Sequence, residues 1–110
     1  MKQFIYPALY YADDENETST LLIDDLDIIS SSDTVENAYL SAKDHLQNFV
    51  DWSIKYGGVI NPATSFKETC ALNPKRDVLL VDVNSDAVPV DKNSLEEDFQ
   101  TLRGLLTKSE

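Results

Sequence analysis

A long amphipathic pattern in the middle of the chain constrains its fold more than any other feature. Its apolar residues recur at the i, i+3, i+4, i+7 spacing that places them on one face of an α-helix. Asp33 and Glu36 form a capping-box pattern at the start, and Gly57-Gly58 ends the helix because glycine adopts the left-handed conformation without a Cβ clash. The pattern predicts a helix over residues 35–54. Its apolar positions are Val35, Ala38, Tyr39, Ala42, Leu46, Phe49, Val50 and Ile54.

Four segments rich in aromatic and branched residues predict β-strands. Residues 4–12 and 18–24 form a hairpin pattern, and residues 28–31 a short third strand. Residues 77–83 form an apolar run that suits a sheet interior. The long helix before this last strand indicates a crossover onto the sheet. We therefore predict an α+β fold with a small mixed β-sheet, built from a three-stranded antiparallel meander plus one strand added after a crossover helix.

The C-terminal part of the chain carries a second, weaker helix pattern. We expect residues 1–84 to form one domain and residues 85–110 to form a linker and a short C-terminal helix. The apolar stripe of this helix is too narrow for a free-standing helix, so it either docks on its own sheet or pairs with another copy. We expect a homo-oligomer. The candidate oligomerisation residues are Leu95, Phe99, Leu102 and Leu106.

The chain is strongly acidic, with a net charge of −11 from 20 acidic and 9 basic side chains among 110 residues. This charge repels phosphate backbones and argues against direct binding of nucleic acid. It attracts a basic protein partner, although acidity can also simply keep a small protein soluble. A single cysteine, no leader-like start and no long apolar stretch predict a cytoplasmic protein without a membrane segment.

Few residues suit catalysis. A cluster of acidic residues lies at a strand end: Asp24, Asp25 and Asp27. These carboxylates could bind a divalent cation, form a solvated turn, or contact a basic partner. No matching set of carboxylates occurs elsewhere, so we expect no metal, no cofactor and no enzyme activity. His45 and Cys70 are the only residues of their types. No orienting motif surrounds either of them, and the two cannot complete a zinc site.

Several short motifs occur in an order that resembles the HicB-like antitoxin family. The resemblance covers residues 4–84. It departs from the family pattern after Leu26, where Asp27-Ile28 replaces a Pro-Gly pair, so the turn there must differ in backbone chemistry. The matching pieces are Tyr6-Pro7-Ala8, Asp13-Asp14-Glu15, Ile23-Asp24-Asp25-Leu26, the helix start at residues 32–38, residues 58–62 and the strand at residues 78–83.

The resemblance implies a truncated ribonuclease H-like HicB fold and a non-catalytic, antitoxin-type binding module. Such a module binds and neutralises a small basic HicA-like toxin that cleaves RNA. An orphan regulatory protein of this fold and an RNA-binding protein are the alternatives. Many members carry a DNA-binding extension, but residues 94–108 are too acidic and short to read a groove well. The candidate partner-binding residues are Asp13, Asp14, Glu15, Asp24, Asp25 and Asp27.

Overall fold

The computed structural model describes residues 2–90, in which a four-stranded sheet carries one long helix across a face. The strands lie in the order β3-β2-β1-β4, and every neighbouring pair is antiparallel. The elements are β1 (Lys2–Asp13), β2 (Thr18–Ile23), a 3₁₀ turn (Asp24–Leu26), β3 (Ile28–Ser32), α1 (Val35–Tyr56), α2 (Phe66–Leu72) and β4 (Asp77–Ser85).

Strand β1 is central, and its alternating side chains serve two different faces. Phe4, Tyr6 and Ala8 belong to the core beneath α1, whereas Pro7 and Leu9 are buried on the other face, near α2. Proline in a central strand would remove a ladder hydrogen bond. The register avoids this loss, because pairing of β1 with β2 begins at Leu9, after the proline.

Helix α1 confirms the predicted apolar face. Ala38, Ala42, Leu46 and Val50 are fully buried. They belong to one core with Leu21 and Ile23 of β2 and Val81 and Val83 of β4, whose side chains lie on the same face of the sheet. Burial of such side chains supplies about 1.5–3 kcal/mol each and is the main force that holds the helix on the sheet.

The start of α1 differs from the predicted capping box by one residue. Thr34 is the N-cap, and its Oγ1 accepts a hydrogen bond of 3.1 Å from the Asn37 backbone N–H. Asp33 instead accepts from the Asn37 side-chain amide at 3.1 Å and from the Ser32 hydroxyl at 3.1 Å. The cap falls on Thr34 because a hydroxyl one residue later reaches an orphan N–H of the first turn. The predicted C-cap is confirmed at Gly57, with φ of 70°.

The α+β class and the three-stranded meander are confirmed, but the sheet is antiparallel throughout and not mixed. Helix α1 begins at the end of the sheet where the loop joins β1 to β2, and it runs toward the opposite end of the sheet. Residues 57–76 then carry the chain back, so that β4 begins with Asp77 beside Tyr10 of β1 and runs against it. Helix α2 lies within this return. The sequence did not predict this helix, although Ser65 caps it by accepting from the Glu68 N–H at 3.1 Å.

The outer edge of β4 is covered by side chains of α1. The Tyr39 hydroxyl donates to the Leu80 carbonyl at 3.1 Å, and Gln47 Nε2 donates to the Asn84 carbonyl at 2.8 Å. The Gln47 amide and the Ser85 hydroxyl also donate to the Asp51 carboxylate. These contacts satisfy backbone groups that an edge strand otherwise leaves open.

The chain after β4 remains against α1, where the Val90 N–H donates to the Lys55 carbonyl at 3.0 Å. The division into residues 1–84 and 85–110 stays a prediction, and β4 itself extends to Ser85. The predicted C-terminal helix lies outside the described residues, as do its four candidate oligomerisation residues, Leu95, Phe99, Leu102 and Leu106.

Substitution of a fully buried residue of α1 tests this core. We expect Leu46→Ala to lower the free energy of unfolding by about 2–5 kcal/mol, because it removes apolar contacts and leaves a cavity. Leu40→Ala, at a position that is 62% exposed on the same helix, is the matched control and should change stability by less than about 0.5 kcal/mol. Chemical denaturation measures both. Equal losses for the two variants would contradict the assigned face.

Candidate functional site

The two acidic turns proposed to bind a partner lie at opposite ends of β2. The hairpin loop at residues 13–17 precedes this strand, and the turn at residues 24–27 follows it. A strand of six residues places its ends about 17–20 Å apart. The structure therefore presents two separate acidic sites, and not one continuous patch.

Asp13 organises the hairpin loop. Its Oδ1 accepts from the backbone N–H groups of Glu15 and Asn16 at 3.1 and 3.2 Å, and its Oδ2 accepts from the Asn16 side-chain amide at 2.7 Å. The Asn16 side-chain bond is the largest cause of a lowered pKa for Asp13. Asp14 and Glu15 are exposed at the tip of the loop. Asp13 therefore builds the loop that presents them.

The second acidic turn ends in an aspartate with a left-handed backbone conformation, where the HicB-like pattern has a Pro-Gly pair. Asp27 has φ of 55° and ψ of 37° and ends the 3₁₀ turn, with its N–H directed to the Asp24 carbonyl at 3.4 Å. Aspartate tolerates this conformation better than most residues because its short polar side chain bonds locally. Asp24 and Asp27 are exposed on this turn.

Asp25 differs from its neighbours because it holds the return connection in place. Its carboxylate accepts from the Thr64 N–H at 2.9 Å and from the Thr64 hydroxyl at 2.7 Å. Its carbonyl accepts from the Asn61 side chain at 3.2 Å, and the Tyr6 hydroxyl donates to the Asn61 carbonyl at 2.6 Å. Burial raises the pKa of Tyr6, and the Asp25 charge raises it further.

An open apolar groove of about 610 Å³ lies between β3 and α1. Its apolar walls contain Ile28 and Ile29 from the strand and Phe49 and Trp52 from the helix. Trp52 is 67% exposed, so the groove presents a large aromatic surface to solvent. Asp27, His45, Asn48 and Ser53 complete the lining. The sequence placed Phe49 on the apolar face of the helix and His45 beside it, but it did not show that β3 would border them.

A second apolar hollow lies on the opposite flank of α1. It has a volume of about 450 Å³ and is lined by Val35, Glu36, Tyr39, Leu40 and Leu79. A much smaller cavity of about 50 Å³ lies beneath α2, beside Pro7, Leu9 and Thr69. The groove beside β3 is the largest of the three and directly adjoins one acidic turn.

Other chemically active side chains do not converge within residues 2–90. His45 is exposed in the groove, Cys70 is half-buried in α2, and no hydrogen bond joins the two. No group of three or more His, Cys, Asp or Glu residues in this part of the chain could hold a metal ion. None of the helices described is long and apolar enough to cross a membrane.

The hairpin loop can be tested by titration. Because the folded pKa of Asp13 lies below its unfolded value of about 3.9, its contribution to stability is present above that pH and disappears as the pH falls through the folded value. We expect Asn16→Ala to raise the pKa of Asp13 toward its ordinary value in a carbon-13 NMR titration. The pKa of Asp33, lowered chiefly by Asn37, is the internal control and should not move. An unchanged Asp13 titration would contradict the assigned bonds.

The hydrogen bonds from Thr64 to the Asp25 carboxylate anchor the return connection, and substitution of Thr64 tests this anchor. We expect Thr64→Val to lower the free energy of unfolding by about 1–2 kcal/mol, because the carboxylate loses a charge-assisted hydrogen bond. Hydrogen exchange should accelerate in residues 58–65. Thr20→Val is the matched control, since it removes only a surface hydroxyl pair with Ser31. Similar effects of both changes would argue against the anchor.

Comparison with known proteins identifies the fold. No family model matches the chain, and no curated protein matches it. Among solved structures, the chain is similar to the crystal structure of the Burkholderia pseudomallei antitoxin HicB, with a TM-score of 0.63 and 15% sequence identity. The alignment covers 92% of this chain and 86% of the HicB chain. The predicted resemblance is confirmed at the level of structure: this chain has a HicB-like α+β fold.

Proposed function

We propose that this chain is a non-catalytic antitoxin-type module that binds and neutralises a small basic HicA-like toxin. The observation that carries the proposal is the HicB-like fold, which extends over most of both compared chains. The acidic charge of the chain supports a basic partner, because complementary charge accelerates the encounter of two proteins and orients them.

Four of the six candidate residues suit such a contact best. The carboxylates of Asp14, Glu15, Asp24 and Asp27 accept no hydrogen bond and form no ion pair within residues 2–90, and all four residues are exposed. They can therefore pair with Lys and Arg side chains of a partner. Asp13 and Asp25 already bind groups of this chain, so we propose supporting roles for them.

Charge alone does not supply a stable complex, because exposed ion pairs contribute little net affinity. Apolar anchors at the centre of an interface usually contribute most of it. The exposed Trp52 beside Phe49 and Ile28 offers such an anchor next to Asp27. We also retain the proposal that Leu95, Phe99, Leu102 and Leu106 mediate self-association.

A kinetic binding measurement tests the proposal. The probe is the product of an adjacent gene that encodes a short basic protein, in an inactive form, and the absence of any such gene would favour an orphan regulatory role. We expect the double variant Asp24→Asn/Asp27→Asn to reduce its association rate several-fold at low salt and to reduce the salt dependence, with little change in dissociation. Asparagine keeps the left-handed conformation available at residue 27, so the turn should remain intact.

The variant Asp14→Asn/Glu15→Gln removes the same charge at the other end of β2 and shows which acidic site the partner contacts. Co-expression of the wild-type chain should restore growth of cells that produce the active toxin. If the wild-type chain neither binds the basic protein nor restores growth, the antitoxin proposal is wrong and an orphan regulatory role becomes the better interpretation.

A further inference from the structure

We propose that the outer edge of β3 receives an extended segment of the basic partner as a fifth strand of the sheet. The identity of the partner rests on the function proposed above. The docking site itself rests on three observations: the difference between the two sheet edges, the groove beside β3 and the charges at its ends.

The two edges of the sheet differ in whether side chains bond to their outward backbone groups. Along β4, Tyr39 and Gln47 donate hydrogen bonds to outward carbonyl groups and obstruct the approach of another strand. No side chain makes a comparable bond to the backbone of β3 within residues 2–90. An edge with open backbone groups can pair with an added strand, and natural proteins usually protect such an edge unless it is used.

The ladder identifies the open groups on β3. The carbonyls of Leu80 and Asn84 point away from β1, because they accept from α1. Backbone groups in an antiparallel sheet alternate in direction along each strand, and the register passes this alternation from β4 through β1 and β2. It places the N–H and C=O groups of Ile29 and Ser31 on the outer edge of β3.

A strand added at this edge would extend the sheet along the groove. Its alternate side chains would face the same side as α1 and meet the apolar walls formed by Ile28, Phe49 and Trp52. The backbone would supply hydrogen bonds, and the groove would select apolar residues at every second position. This arrangement also explains why large apolar side chains remain exposed beside a polar, serine-rich strand.

The charges at both ends of β3 select a basic segment. Asp27 directly precedes the strand and Asp33 directly follows it, and both residues are exposed. The bonds that Asp33 accepts from Ser32 and Asn37 both end on its Oδ1, so its Oδ2 stays open to a partner. Their six-residue separation corresponds to about 20 Å. No Lys or Arg lines the groove. A second copy fits poorly, since an antiparallel pairing of two β3 strands would bring Asp27 of one copy near Asp33 of the other.

A synthetic peptide tests the site without the toxin. The probe is acetyl-Lys-Ile-Thr-Ile-Thr-Ile-Arg-amide, whose cationic ends match the spacing of the two aspartates. Titration into the nitrogen-15-labelled full chain should shift the NMR signals of Ile29, Ser31 and the Trp52 indole. A peptide with glutamate at both ends should bind at least tenfold more weakly. Shifts confined to other surfaces, or equal binding of both peptides, would overturn the proposal.

Two pairs of variants separate backbone pairing from groove contacts. Ser31→Pro removes an outward N–H from β3, and Asp82→Pro removes the corresponding type of group from β4. Of these two proline variants, we expect only Ser31→Pro to weaken peptide binding, by at least tenfold. Trp52→Ala should also weaken binding, whereas Leu40→Ala on the other flank of α1 should not. Because Trp52 is exposed, its variant remains informative even if a proline variant fails to fold.

The same variants then distinguish failure of this inference from failure of the proposed function. If the toxin binds the wild-type chain and the folded Ser31→Pro and Trp52→Ala variants equally well, the docking site is wrong while the antitoxin function stands. If the basic peptide binds at β3 and the toxin does not bind at all, the docking site stands while the antitoxin function fails. Concentration-dependent shifts at Ile29 and Ser31 without peptide would instead identify a second copy as the occupant and overturn the proposal.

Discussion

Burial of one face of α1 on the sheet is the interaction on which the rest of the structure depends. Leu46 and Val50 share a core with Leu21, Ile23 and Val81, so the helix is held to strands on both sides of β1. This packing fixes the position of the helix flanks relative to the two sheet edges. One flank covers β4 with polar side chains, and the other leaves an apolar groove beside β3.

The single long helix also dictates how the chain must return. Because α1 ends at the far side of the sheet from the start of β4, residues 57–76 have to cross back before the last strand can pair with β1. A connection of this length loses much conformational freedom when it is ordered. Asp25 offsets part of that loss through its two bonds to Thr64, and Asn61 adds bonds to Asp25 and Tyr6.

Because Asp25 binds Thr64, the acidic residues of the two turns do not all have the same role. Acidic residues that look equivalent in the sequence divide into those that build a turn or hold a loop and those that remain open to a partner. Asp13 and Asp25 belong to the first group, whereas Asp24 and Asp27 belong to the second. The open edge of β3 runs from Asp27 to Asp33, so one extended segment could contact both ends of that strand.

The sequence by itself determined the helix, its buried face, its glycine stop and the four strands, because each depends on local periodicity and backbone preference. It also indicated the HicB-like fold through motifs whose order survives at low identity. Tertiary structure alone decided the antiparallel direction of β4, the separation of the acidic turns and the bond between Asp25 and Thr64. These features depend on which distant segments meet when the core packs. Local spacing carries no information about such contacts, and for the same reason it could not show that β3 borders an apolar groove.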